Sequence, residues 1–310
     1  MTAGAPPIRT SWLRPMRDGA VVACGVLALG LSLGLLHTGV DAHAYWAADP
    51  LDPYGGTRLG QQDAYFYAPP FAQLLGPMHA LPWPWFIGIW TLVLTAAFVW
   101  QAWYWAGFAV LAVPVFSELT VGNIHLLLGA AIVAGFRWPW LWALPLLTKP
   151  TLGIGLVWFV VRREWRSLAI ALGATIAVAA ASFVLAPSLW FQWLDVLGAA
   201  ASSPERPFVI PIPFWARIVV MIGLVAWGAL TDRRWTVPVA SMLALPILWV
   251  NGLSMLLAIL PLTPGFVGPS PASRWLARET TVPGWLRPAI GRLERALDRV
   301  LPTPRSPERA

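Results

Sequence analysis

WPWLWALPLLTKPTLGIGLVWFVV, Trp138 to Val161, is the stretch on which the reading of this chain turns. It is apolar but for Thr148, Lys149 and Thr151, with Arg137 before it and Arg162, Arg163 and Arg166 after it. Arginines flanking apolar segments mark the cytoplasmic face of a membrane protein. Both ends of the stretch therefore lie on one face, and the chain goes in and returns within 24 residues. Two full spans need about 40 residues. The stretch is read as two half-helices meeting at Pro145 to Pro150, and such breaks are tolerated only where they are buried in protein or line a cavity.

The rest of the chain agrees with a membrane origin. Of 310 residues, 58% are hydrophobic and 11% charged, and the mean hydropathy is +0.65. A soluble domain carries about 25% charged residues. The apolar segments run throughout, so the membrane region is the protein rather than an anchor for a soluble domain. The net charge of +7 does not point to nucleic acid: 20 of the 21 basic residues are arginine, mostly in short runs beside apolar segments, and such placement sets membrane orientation rather than a binding groove. The single Cys24 and the scattered His37, His43, His79 and His125 give neither a disulfide framework nor zinc-ligand spacing.

Working outward, Gly19 to His37 is read as a first span, which puts Val40 to Pro70 outside. Phe71 to Leu81 is a short re-entrant or interfacial helix. Trp83 to Trp105 is a returning span, and Gly107 to Phe116 a short rising segment. Ser117 to Thr120 is read as an outer turn before Val121 to Phe136. Beyond the central hairpin, Trp165 to Leu185 is a span and Pro187 to Pro207 an outer loop. Phe214 to Leu230 returns, and Val237 to Leu262 is a second short hairpin with its tip at Trp249-Val250-Asn251. With this arrangement 17 arginines are cytoplasmic and three (Arg58, Arg206, Arg217) external. The expected fold is all-α and polytopic, with about 8–10 transmembrane or half-membrane helices and an outer loop after the first. Residues 1–262 form the membrane domain, with both termini cytoplasmic. Residues 263–310 form a Pro- and Arg-rich tail, in which Leu286, Ile290, Leu293, Leu297 and Leu301 recur at the spacing of an interfacial amphipathic helix.

Two places carry candidate chemistry. The first is Val40 to Pro70, VDAHAYWAADPLDPYGGTRLGQQDAYFYAPP. Its carboxylates (Asp41, Asp49, Asp52, Asp63) are interleaved with aromatics that include Tyr45, Trp46, Tyr54, Tyr65 and Tyr67, a mixture suited to carbohydrate hydroxyls. Asp41 follows closely on the first helix, so a rigid element positions it as a general base. Asp49, Asp52 and Asp63 are rivals on looser chain. The second is Lys149, the only lysine. An ammonium at mid-membrane costs about 2.5–3.5 kcal/mol and is a functional candidate by default; with Pro150 opening a new helix it makes an anion site suited to a lipid phosphate. Its bland alternative is snorkelling to an interface. Around SELTVGNIH, Glu118, Asn123 and His125 cluster, with Asn123 suited to a sugar hydroxyl. Asn251 is equally a helix cap or a binding group. Arg217 is a second candidate cation for a phosphate.

Taken in order, Asp41, AYW (44–46), DPYG (52–55), AYFYAPPFAQLLGP (64–77), Gly122-Asn123, LTKP ending at Pro150 and LPILWVNG (245–252) resemble glycosyltransferase family 87. The resemblance runs from about Asp41 to Pro261. It implies a GT-C fold and an inverting transfer of a hexose, mannose by analogy, from a polyprenyl-phosphate sugar to a lipid or glycan hydroxyl on the outer face of a bacterial plasma membrane. By position Asp41 would be the base. In the late hairpin, where the family often has a histidine, this chain has Asn251. No D-x-D pair stands out for a nucleotide-sugar metal site, so neither metal nor cofactor is expected. Two other readings stay open: a transporter or flippase for a lipid-linked sugar, which broken helices and a buried cation also suit, and an inactive scaffold of the cell envelope.

Overall fold

A computed structural model describes residues 39–55, 57, 61–202 and 214–277, and the isolated positions 18, 21 and 25. Apart from positions 21 and 25, the proposed first span lies outside these residues, as do Cys24, Arg58, Arg206 and the amphipathic stretch of the tail. No strand occurs among the described residues, and the chain is an all-α polytopic membrane protein.

Helix α1 (Val40–Ala47) leads to α2 (Pro69–His79), then to α3 (Trp83–Ala102). The last runs on through a 3-10 turn into Ala106–Ala109, so that Trp83–Ala109 is 27 residues of apolar helix, long enough to cross a membrane. After α4 (Val113–Val121) and α5 (His125–Gly135), a 3-10 turn (Pro139–Trp142) opens α6 (Ala143–Thr148). A second 3-10 stretch (Pro150–Leu156) opens α7 (Val157–Val161). Then come α8 (Trp165–Leu185), α9 (Pro187–Ser202), α10 (Phe214–Leu230) and α11 (Thr236–Leu243). A 3-10 stretch (Val250–Ala258) leads into α12 (Ile259–Leu262), and the short turn Pro264–Val267 precedes α13 (Pro271–Ala277). Helix α8 is the second full-length span. Its Ile176, Val184 and Leu185 are exposed, a surface that suits hydrocarbon rather than water.

The central hairpin has its break at the expected place. Pro150 has no N–H to continue α6 and disfavours helical geometry in the residue before it. Lys149 accordingly leaves the helix at φ −137°, ψ 83°. The second hairpin likewise divides into α11 and Val250–Leu262 around Trp249.

Three expectations are corrected. Ser117 to Thr120 is not a turn but the last part of α4. The bend falls at Gly122–Ile124, where α4 and α5 meet at 108°. Gly122 makes this stop: at φ 73° it adopts the left-handed conformation that L-residues avoid, and its N–H bonds back to the carbonyl of Glu118 at 2.9 Å. Pro187 to Pro207 is not a loop over its first 16 residues, which form α9. Its Trp and Asp residues suggested an aqueous connector, but Leu189 and Trp193, four apart, are buried and make one face of the helix. Trp193 donates its indole N–H to the carbonyl of Phe66 at 3.0 Å, tying α9 to the approach to α2. Finally, the stretch after the first span is not loop throughout, because Val40 to Ala47 is helix α1.

The described part of the tail packs against the helices. Arg137 donates to the carbonyl of Trp275, and its guanidinium lies 4.7 Å from the Trp275 ring centre. Trp100 and Trp138 meet the same ring edge-on.

Candidate active site

The site is assembled by the α4–α5 bend. Gly39, itself left-handed at φ 87°, begins α1 and donates its N–H to the carbonyl of Thr120 at 2.7 Å. This holds the first turn of α1 beside the end of α4. A Cβ on Gly122 would stand 2.6 Å from the Cβ of Ala42, so the two helices touch at a distance only glycine permits. Trp90 of α3 donates to the Gly122 carbonyl at 2.7 Å and fixes the turn from behind.

Asp41 lies in the first turn of α1, where a carboxylate is favoured by the helix dipole. Asn123 Nδ2 donates to Asp41 Oδ2 at 2.6 Å. The orientation of that amide is unambiguous: Asn123 Oδ1 accepts the backbone N–H of Ile124 at 2.7 Å, and a backbone N–H can only donate. Asn123 is the only hydrogen-bond donor to the Asp41 carboxylate among the described residues. Burial pushes the Asp41 carboxyl above its ordinary value, opposed by the Asn123 hydrogen bond and by the charge of Lys149. The Asp41 carboxylate and the Lys149 ammonium are thus electrostatic neighbours.

On the other side of the bend, Glu118 is fully buried. Its Oε1 accepts the N–H groups of His125 and Leu126, which caps the otherwise orphaned first turn of α5. Its Oε2 lies 3.0 Å from His125 Nδ1. The other imidazole nitrogen, Nε2, lies 2.7 Å from Lys149 Nζ. Lys149 Nζ also lies 5.8 Å from the ring centre of Tyr67, whose hydroxyl is 2.9 Å from that of Tyr45. Tyr54 donates to the Tyr67 carbonyl at 2.7 Å.

Of the residues singled out from sequence, the structure brings together Asp41, Asn123, Glu118, Lys149 and Tyr67. Asn251 is buried at the start of the second hairpin's 3-10 stretch. A Cβ on its neighbour Gly252 would stand 3.8 Å from His125 Nε2, so that stretch closes one side of the cluster. Asp52 stands apart, exposed at the start of the turn that buries Pro53 and Tyr54. Arg217 is buried and also stands apart. Its guanidinium donates to the carbonyls of Leu243 and Leu245 at 2.8 and 3.0 Å and of Pro246 at 3.3 Å, where it closes the C-terminus of α11 rather than reaching Lys149. Among the rival acids, Asp63 pairs with His43 at 2.7 Å.

His125 was noticed in sequence only as part of a cluster. The signal for its role was present: Glu118 and His125 flank a Gly-Asn turn, and a sharp bend there brings a residue at i next to one at i+7. No group of three His, Cys, Asp or Glu side chains suited to a metal ion occurs among the described residues.

The arrangement defines a class: a helical membrane protein with a half-buried carboxylate and a half-buried ammonium gathered around one bend between helices. The chain belongs to glycosyltransferase family 87, whose family model matches residues 65–260. The protein is therefore a membrane glycosyltransferase. The matched segment contains Tyr67, Glu118, Asn123, His125 and Lys149; Asp41 precedes it. Neither a curated protein nor a solved structure matches the chain.

Proposed function

We propose that the protein transfers a hexose, mannose in the first instance, from a polyprenyl-phosphate sugar to a hydroxyl of a lipid or glycan acceptor at the outer face of a bacterial plasma membrane. In this reading the fold is of the GT-C type, both termini are cytoplasmic, residues beyond 262 form a membrane-surface tail, and no metal or cofactor takes part. The observation that carries it is the gathering of Asp41, held by Asn123 at 2.6 Å, and Lys149, held by His125 at 2.7 Å, around the α4–α5 bend. These are the two groups an inverting transfer needs: a base for the acceptor and a cation for the leaving phosphate.

The acceptor hydroxyl gives its proton to Asp41 Oδ1 while its oxygen attacks the anomeric carbon from the face opposite the phosphate. The anomeric C–O bond breaks, and the polyprenyl phosphate departs with the bonding pair. Lys149 meets the charge that gathers on the phosphate oxygen, and because it is already held by His125 it does so without reorganisation. Asn123 holds the Asp41 carboxylate in one orientation. Tyr67, beneath the ammonium, and Asn251 line the space for the sugar.

The test is product analysis. Purified protein in lipid nanodiscs is given radiolabelled polyprenyl-phosphate mannose and a short mannoside acceptor. A new glycosidic bond of inverted configuration is expected. Movement of the donor across the bilayer without product would replace this reading by the flippase.

A further inference from the structure

We infer that Glu118 is a positioning residue: it selects the tautomer of His125 and thereby aims the Lys149 ammonium into the site. Three of the groups involved have fixed hydrogen-bonding roles. The backbone N–H groups of His125 and Leu126 can only donate, so Glu118 Oε1 accepts both. An ammonium can only donate, so His125 Nε2, 2.7 Å from Lys149 Nζ, presents its lone pair. In a neutral imidazole the proton then resides on Nδ1 and is donated to Glu118 Oε2 at 3.0 Å. The relay runs in one direction, from Lys149 through His125 to Glu118, with the two ends setting the middle.

Glu118 is fully buried and His125 nearly so. Neither is open to a substrate, and their joint product is the place of one side chain. A lysine has four rotatable side-chain bonds and many rotamers. Here one acceptor, at the end of a capped helix, draws it into a single direction. The same carboxylate caps α5 with one oxygen and orders the ring with the other, so folding of the bend and orientation of the cation are a single event.

The substitution that separates these two jobs is Glu118→Gln. The glutamine oxygen still accepts the two backbone N–H groups, so the cap survives. Its amide N–H₂ now faces His125 Nδ1, which becomes an acceptor, and the ring proton moves to Nε2. That N–H points at the ammonium, donor against donor, and Lys149 turns away.

The consequence for catalysis rests on the reading of Lys149 as the phosphate-binding group; the consequence for the ring does not. The experiment therefore has two readouts. Nitrogen-15 spectra of the histidine-labelled protein in nanodiscs are expected to show His125 protonated on Nδ1 in the wild type and on Nε2 in Glu118→Gln. The donor KM is expected to rise about tenfold or more, the size of a lost charged hydrogen bond, with a smaller change in kcat. Glu118→Ala, which also removes the cap, is expected to lower the unfolding temperature where Glu118→Gln does not. A wild-type His125 protonated on Nε2 overturns the relay even should the variants fail to fold, and so does a Glu118→Gln protein whose ring stays protonated on Nδ1. An inverted ring with an unchanged donor KM would establish the relay but overturn the positioning role if Lys149→Ala raises that KM, and the assignment of Lys149 to the donor if it does not.

Discussion

Asn123 and Asp41, 82 residues apart, are joined by a 2.6 Å hydrogen bond in which the amide can only be the donor. This bond joins the first described helix to the α4–α5 bend.

Asp41→Asn removes the base while keeping the side chain's size. Sugar transfer is expected to fall by about two to four orders of magnitude, the usual scale of general-base catalysis, with the unfolding temperature held close to wild type. Radiolabelled transfer and a thermal melt on the same preparation decide it. Wild-type turnover by this variant would hand the role to another carboxylate.

The pH dependence has a definite sign. A general base works when ionised, so activity is lost as pH falls through its pKa. Burial holds the Asp41 carboxyl above its ordinary value, and the Asn123 bond pulls it back down. Asn123→Ala removes the downward pull, so the acid limb of kcat/KM is expected to move to higher pH. An acid limb that stays in place, or moves to lower pH, in the variant would contradict Asp41 as the titrating group.

Gly122→Ala places a methyl group 2.6 Å from the Cβ of Ala42 at a residue with φ 73°. The left-handed conformation costs a non-glycine residue about 1–2 kcal/mol, and overpacking adds about 1–3 kcal/mol. A large drop in unfolding temperature is expected, with loss of activity. Gly173→Ala is the matched control. Nothing lies within 4 Å of that position, it is inside α8, and alanine is the better helix former. Equal behaviour of the two variants would refute the close approach of α1 to the bend.

Arg217→Ala leaves the carbonyls of Leu243, Leu245 and Pro246 without their donor. A buried carbonyl left unpaired costs about 1–3 kcal/mol, so stability is expected to fall while donor KM stays at the wild-type value. Lys149→Ala is expected to do the reverse, raising donor KM with little change in the melt. A donor KM that rises in Arg217→Ala without loss of stability would return this arginine to the phosphate.

The sequence by itself determined much of this protein. Arginines on both flanks of a 24-residue apolar run, with a Lys-Pro pair inside it, required a broken hairpin, because hydrocarbon tolerates neither a free carbonyl nor a half-length crossing. The span at Trp165 to Leu185 and the helix at Phe214 to Leu230 were legible for the same reason: length and apolarity are local properties. Local properties also misled at α9, where aromatic and acidic residues suggested an outer loop, although Leu189 and Trp193, four apart, form the buried face of a helix.

What the tertiary structure alone decided is which polar groups meet. Asp41, Glu118, Asn123 and Lys149 were all visible as candidates, and so was Arg217, placed second to Lys149 as a cation for the phosphate. A bend of 108° at Gly122 carries Asn123 to Asp41 and His125 to Lys149, while the end of α11 takes the Arg217 guanidinium for its own carbonyls. A hydrogen bond is short and directional. It is therefore formed only by groups the fold brings within about 3 Å, and no spacing along the chain could specify that for residues 82 apart.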